Sequence, residues 1–132
     1  VPSRDWQQLS FHHRDPDLDL GDDHYLWYYG WAPDRDLNPQ YAEFPDVEKA
    51  GASVGHLRPD GSYCEGAITF DVGPMSQLRL QKALWQVQSW EPLTVSPSLL
   101  CRAPVFDPDR YRIAGSECGD HGFIRAGRWV RA

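Results

Sequence analysis

Ser53-Val54-Gly55-His56-Leu57-Arg58-Pro59-Asp60-Gly61-Ser62-Tyr63-Cys64-Glu65-Gly66-Ala67-Ile68-Thr69-Phe70-Asp71 decides the fold. Its centre, Pro59-Asp60-Gly61-Ser62, is turn chemistry: proline presets φ, aspartate bonds its own backbone, and glycine accepts the left-handed region. The flanks, 53–57 and 64–71, are short and bounded by that turn, which predicts a β-hairpin. Upstream, the acidic turn Gly21-Asp22-Asp23 precedes His24-Tyr25-Leu26-Trp27-Tyr28-Tyr29, an aromatic run that reads as a strand. Downstream, Trp85-Gln86-Val87-Gln88 alternates, and Pro92 interrupts before Leu93-Thr94-Val95. Gly122-Phe123-Ile124-Arg125 and Arg128-Trp129-Val130 flank Ala126-Gly127, a closing hairpin. The best helical stretch is 75–84, where Met75, Leu78 and Ala83 share a side that Leu80 disrupts. With 11 Gly and 11 Pro spread along the chain, the expectation is one β-rich domain. It should be mainly antiparallel, with one or two short helices. Residues 32–51 and 102–117, rich in turn formers, read as loops.

Composition bounds the partners. The chain has 132 residues, with 13 Lys+Arg against 19 Asp+Glu and a net charge of −6. An acidic protein gains no counterion release from a phosphate backbone, so nucleic acid is not an expected partner. No apolar run approaches the roughly 18 residues of a membrane span. Val1-Pro2-Ser3-Arg4-Asp5-Trp6 lacks the apolar core of a signal peptide, so a cytoplasmic location is expected. The 3 cysteines are too few, and odd in number, for a disulfide framework.

Several constellations carry potential chemistry. The run from His12 and His13 through Asp15, Asp17, Asp19, Asp22 and Asp23 to His24 crowds imidazoles and carboxylates. It has no calcium-loop spacing and reads as a solvated acidic turn. Tyr25, Trp27, Tyr28, Tyr29 and Trp31 suit either a peptide-recognition surface or two core-packed strand faces, and core packing is expected for most of them. Ser98 follows Pro97 where the chain leaves an extended segment. A helical turn at Leu99-Leu100 would place its hydroxyl at a helix N-terminus, with His121 as general base. The same residues also suit a simple N-cap and a polar strand end. A rival uses the thiols: Cys118-x-x-His121 is a zinc half-site that Cys64 and Cys101 would complete. A histidine bound to zinc cannot also take a proton from Ser98, and without His121 the metal would need His56 or another ligand.

Ser96-Pro97-Ser98-Leu99, Cys118-Gly119-Asp120-His121-Gly122-Phe123-Ile124 and Gly127-Arg128 together resemble a known family. It is the small domain-of-unknown-function family of bacterial and phage proteins that includes BubE, a peptidase of bacterial ubiquitin-like conjugation operons. The matching motifs span about a third of the chain. The resemblance implies a serine peptidase without a cofactor, acting on the flexible C-terminal tail of a ubiquitin-like protein. It makes Ser98 the nucleophile and His121 the base. Glu65, in Cys64-Glu65-Gly66, becomes the first choice for the orienting acid. Asp120 is the weaker choice, because strand neighbours point to opposite faces. Residues 102–117 lengthen the usual spacing between the two motifs. The alternative class is a noncatalytic protein-interaction module, stabilised by zinc.

Overall fold

The computed structural model describes residues 14–78 and 83–132. His12, His13 and positions 79–82 of the helical stretch lie outside the described residues. The hairpin at the centre of the sequence is the centre of the fold. Strands β3 (Val47–Leu57) and β4 (Tyr63–Thr69) pair antiparallel, with Leu57 opposite Tyr63 and His56 opposite Cys64. Arg58 N–H donates to the Ser62 carbonyl at 2.8 Å, and Asp60 Oδ1 accepts from Ser62 N–H at 2.8 Å, so the turn bonds close as its residue types dictate.

Strands β1 (Leu18–Gly21) and β2 (His24–Trp31) extend this to a four-stranded sheet in the order β1-β2-β3-β4. Strand β2 is buried on both faces: Leu26 joins the main core, while Tyr25 and Trp27 pack with Leu57 and Tyr63 on the other side. Of the aromatic run, Tyr25 and Trp27 are core, Tyr28 packs part-buried against the main core, and Tyr29 and Trp31 are half-buried. A two-stranded sheet, β5 (Gln86–Trp90) with β6 (Leu93–Ser96), and a three-stranded sheet of β7 (Leu99–Leu100), β8 (His121–Arg125) and β9 (Arg128–Arg131) complete the β-rich, antiparallel fold. One core unites the sheets through Leu20, Ile68, Phe70, Val95, Ile124 and Trp129. No helix among the described residues is long and apolar enough to cross a membrane; α1 is described over Met75–Leu78.

Three expectations are corrected. Residues 47–51, assigned to a loop, are the first half of β3: Val47 pairs with Trp31 and Gly51 with Tyr29. Polar Glu48 and Lys49 hid the strand, and Lys49 Nζ in fact lies 4.6 Å from the centre of the Tyr28 ring. The rest of that segment has one 3-10 turn, Pro39–Tyr41. Leu99-Leu100 begins no helical turn; it pairs with β8 as a short strand. His24 is not part of a solvated turn but is 1% exposed, stacked between His56 and Trp129 with ring centres 4.2 and 4.1 Å away. Residues 102–117 do form a loop, anchored by Phe106, which exchanges backbone bonds of 2.9 and 2.8 Å with Tyr63 and stacks on its ring.

Candidate functional site

Strand alternation divides the chemistry of β7 and β8 between two faces. Leu99 pairs with Gly122 and Leu100 with His121. Residues two apart share a face, so Ser98, Leu100 and His121 fall together on the outer side, and Leu99, Asp120 and Gly122 fall on the inner side. The register continues past β7, where Cys101 N–H donates to the Asp120 carbonyl at 2.8 Å. Cys101 is thereby set on the inner side with Asp120.

On the outer face, Ser98 Oγ lies 2.7 Å from His121 Nε2, within hydrogen-bonding distance. The Ser98 carbonyl accepts from Trp85 Nε1 at 3.3 Å, and the His121 carbonyl accepts from Ala132 N–H at 3.0 Å, so backbone bonds hold both residues. His121 is exposed and Ser98 half-buried. Among the described residues Ser98 is the hydrogen-bond partner the imidazole has. Glu65 sits on the face of β4 opposite Cys64, where it accepts a hydrogen bond from Ser53 Oγ and lines a separate cavity with Tyr63, Phe106 and Arg110. The structure thus brings Ser98 to His121 and does not bring Glu65 to them.

The inner face gathers a different set. His24, His56 and Cys64 form a row across β2, β3 and β4, since His24 pairs with His56 and His56 with Cys64. Cys101 Sγ stands 3.7 Å from Cys64 Sγ. One ligand atom each from His56, Cys64 and Cys118 lies within 4.8 Å of the others. Gly119, at φ +70°, turns the chain so that Asp120 N–H points back to the Cys118 sulfur at 3.4 Å. Arg58 Nη2 donates to Cys118 Sγ at 2.9 Å. Asp120 Oδ2 contacts His24 Nε2 at 2.5 Å and lies 3.5 Å from His56 Nδ1. A cavity of about 200 Å³ opens beside these groups, lined by His56, Cys64, Cys101 and Asp120. Gly122 makes the fit possible: a Cβ there would sit 2.5 Å from the Trp129 ring that stacks on His24.

Charge on this face is shared. Hydrogen bonds from Cys101 and then Cys64 hold the Cys118 thiol far below its ordinary pKa, with His56 and the Asp120 N–H adding and burial opposing. Cys64 is pushed far up by its hydrogen bonds with Cys101 and then Cys118, and by burial. Cys101 is raised, chiefly by Cys118. Burial works against the charge of Arg58, but the sulfurs of Cys64 and Cys118 outweigh it and raise its pKa. Burial, then the neighbouring His56, pushes the His24 pKa down, with Asp120 opposing. Among the described residues three buried side-chain polar atoms have no hydrogen-bond partner: His56 Nδ1, Arg58 Nη1 and Trp129 Nε1.

The zinc set read from the sequence therefore separates. The three cysteines converge, but the histidine beside them is His56; His121 is engaged by Ser98 across the strand pair. The signal for His56 was in the hairpin, because a turn centred on Asp60 sets residue 56 opposite residue 64. Asp120 and His24 carried no comparable signal. No family model matches the chain, and no curated protein or solved structure is similar enough to stand as a relative.

Proposed function

We propose that the protein is a serine hydrolase, a peptidase acting on an extended polypeptide tail, with Ser98 as nucleophile and His121 as general base. The observation that carries this reading is the 2.7 Å contact between Ser98 Oγ and His121 Nε2. That distance is within reach for proton transfer without rearrangement. In the reaction, His121 takes the Ser98 proton as Oγ attacks the carbonyl carbon. The imidazolium then protonates the leaving amine, and water resolves the acyl-enzyme by the same steps in reverse. Because Leu99-Leu100 is a strand, no helix N-terminus stands behind Ser98 to receive the oxyanion. The pair is also a dyad rather than a triad among the described residues. Its exposed position suits a flexible chain end better than a folded surface, and the motif resemblance names the tail of a ubiquitin-like protein as the substrate to try first.

The second reading is a noncatalytic interaction module stabilised by metal, favoured by the convergence of Cys64, Cys101 and Cys118. Turnover of a ubiquitin-like protein bearing a C-terminal extension separates the two. Wild type should cleave it, and Ser98→Ala and His121→Ala should each lose several orders of magnitude in rate. Equal residual cleavage by wild type and Ser98→Ala would assign the protein to the second reading.

A further inference from the structure

We propose that Cys64, Cys101, Cys118 and His56 form a tetrahedral site for one zinc ion, which clamps the small β7-β8-β9 sheet to the β3-β4 hairpin. Cys64 and His56 face each other across that hairpin, Cys101 directly follows β7, and Cys118 lies three residues before β8 begins. The ligands therefore come from both sides of the junction, and residues 102–117 form the loop between two of them. Ligand type fits: three thiols and an imidazole suit a four-coordinate structural zinc better than magnesium or calcium, which take oxygen. Spacing fits as well. Zinc–sulfur bonds of about 2.3 Å at tetrahedral angles set sulfurs about 3.8 Å apart, and Cys64 and Cys101 stand at 3.7 Å.

The surroundings are those of a metal centre. Backbone N–H groups two residues on, at Ala103 and Asp120, face the Cys101 and Cys118 sulfurs, where they would stabilise thiolates. Three thiolates and a neutral imidazole around Zn²⁺ leave one net negative charge, and Arg58, bonded to Cys118, offsets it. His56 Nδ1 is buried without a hydrogen-bond partner. A metal held by either ring nitrogen resolves that: through Nδ1 directly, or through Nε2 with the proton fixed on Nδ1 facing Asp120, the usual carboxylate–histidine–zinc arrangement. Binding forms three Zn–S bonds and one Zn–N bond, displaces water from the ion and releases the remaining thiol protons to solvent; nothing is oxidised or reduced. The site is independent of the proposed chemistry, since His121 is not among the ligands.

The test is metal analysis of the full chain, purified reduced and without chelator, followed by cobalt(II) exchange. One zinc per chain is expected, and cobalt should give strong sulfur-to-metal charge-transfer absorption. His121→Ala should keep the metal, and His56→Ala should lose it or change the cobalt spectrum. Asp120→Asn should weaken zinc affinity roughly 10–100-fold. Should cysteine variants fail to fold, the wild-type cobalt spectrum still decides. Reduced wild type that binds no zinc and shows no thiolate absorption with cobalt overturns the proposal. So does a native Cys64–Cys101 disulfide, or a metal released by His121→Ala and retained unchanged by His56→Ala.

Discussion

The two faces of the β7–β8 pair are built from adjacent residues and differ in almost everything else. Asp120 and His121 are neighbours in the chain. Asp120 points into a crowded inner cluster that meets two histidines and lies beside three sulfurs, while the His121 imidazole stands exposed and, among the described residues, bonds to Ser98. Inside, each polar group depends on several others, and removing one leaves a buried partner unsatisfied. Outside, water can replace any partner at little cost. Stability should therefore reside on the inner face and chemistry on the outer, with a one-residue step along β8 separating them.

Substitutions on each face test that division. The largest expected stability loss is at Trp129, the ring that joins the main core to the inner histidines. Trp129→Ala should cost about 3–5 kcal/mol, read by chemical denaturation; a loss below 1 kcal/mol would show that the inner face is not a stability centre. Next is Gly122→Ala, whose Cβ meets the Trp129 ring and the Val130 carbonyl. About 1–3 kcal/mol of overpacking is expected, and a neutral result would mean the indole moves aside freely.

A smaller effect belongs to the rim. Arg131 donates to Asp22 at 2.7 Å and holds that carboxyl below its ordinary value near 3.8. The contribution is complete above the unfolded value and is lost as pH falls through the lower folded one. For so exposed a pair, screened by water, the effect should be small. Asp22→Asn, tolerated at φ +52°, should remove that small acid sensitivity and nothing else; unchanged melting curves between pH 5 and 2 would dismiss the pair. Smallest of all is Glu65→Gln. Since Glu65 faces Ser53 on the far side of β4, turnover should stay near wild type. A collapse in turnover without loss of fold would restore Glu65 as the acid that orients His121.

The hairpins and the strand class were legible because turn chemistry is local: Pro59-Asp60-Gly61-Ser62 and Ala126-Gly127 announce their geometry within a few residues. Ala126 and Gly127 both adopt positive φ, 50° and 74°, the signature of the tight turn read there. Ser98 and His121 were legible as a pair through their motifs, but their meeting rests on strand pairing rather than the helical turn that sequence suggested. What stayed hidden was long-range. The burial of His24 depends on Trp129 from β9 and on Asp120, just before β8, about a hundred residues later, and no local pattern encodes it. The exchange of His121 for His56 beside the cysteines is likewise a matter of which face each strand turns inward. Alternation can be counted only once the register is known.

The most direct test of the central claim is reaction of the protein with a fluorophosphonate, followed by peptide mapping of the modified residue. A Ser98 hydroxyl activated by His121 should be the labelled atom, and His121→Ala should remain folded and unlabelled. Labelling that survives in His121→Ala at the wild-type rate, or maps to another serine, or is absent from folded wild-type protein, would contradict it.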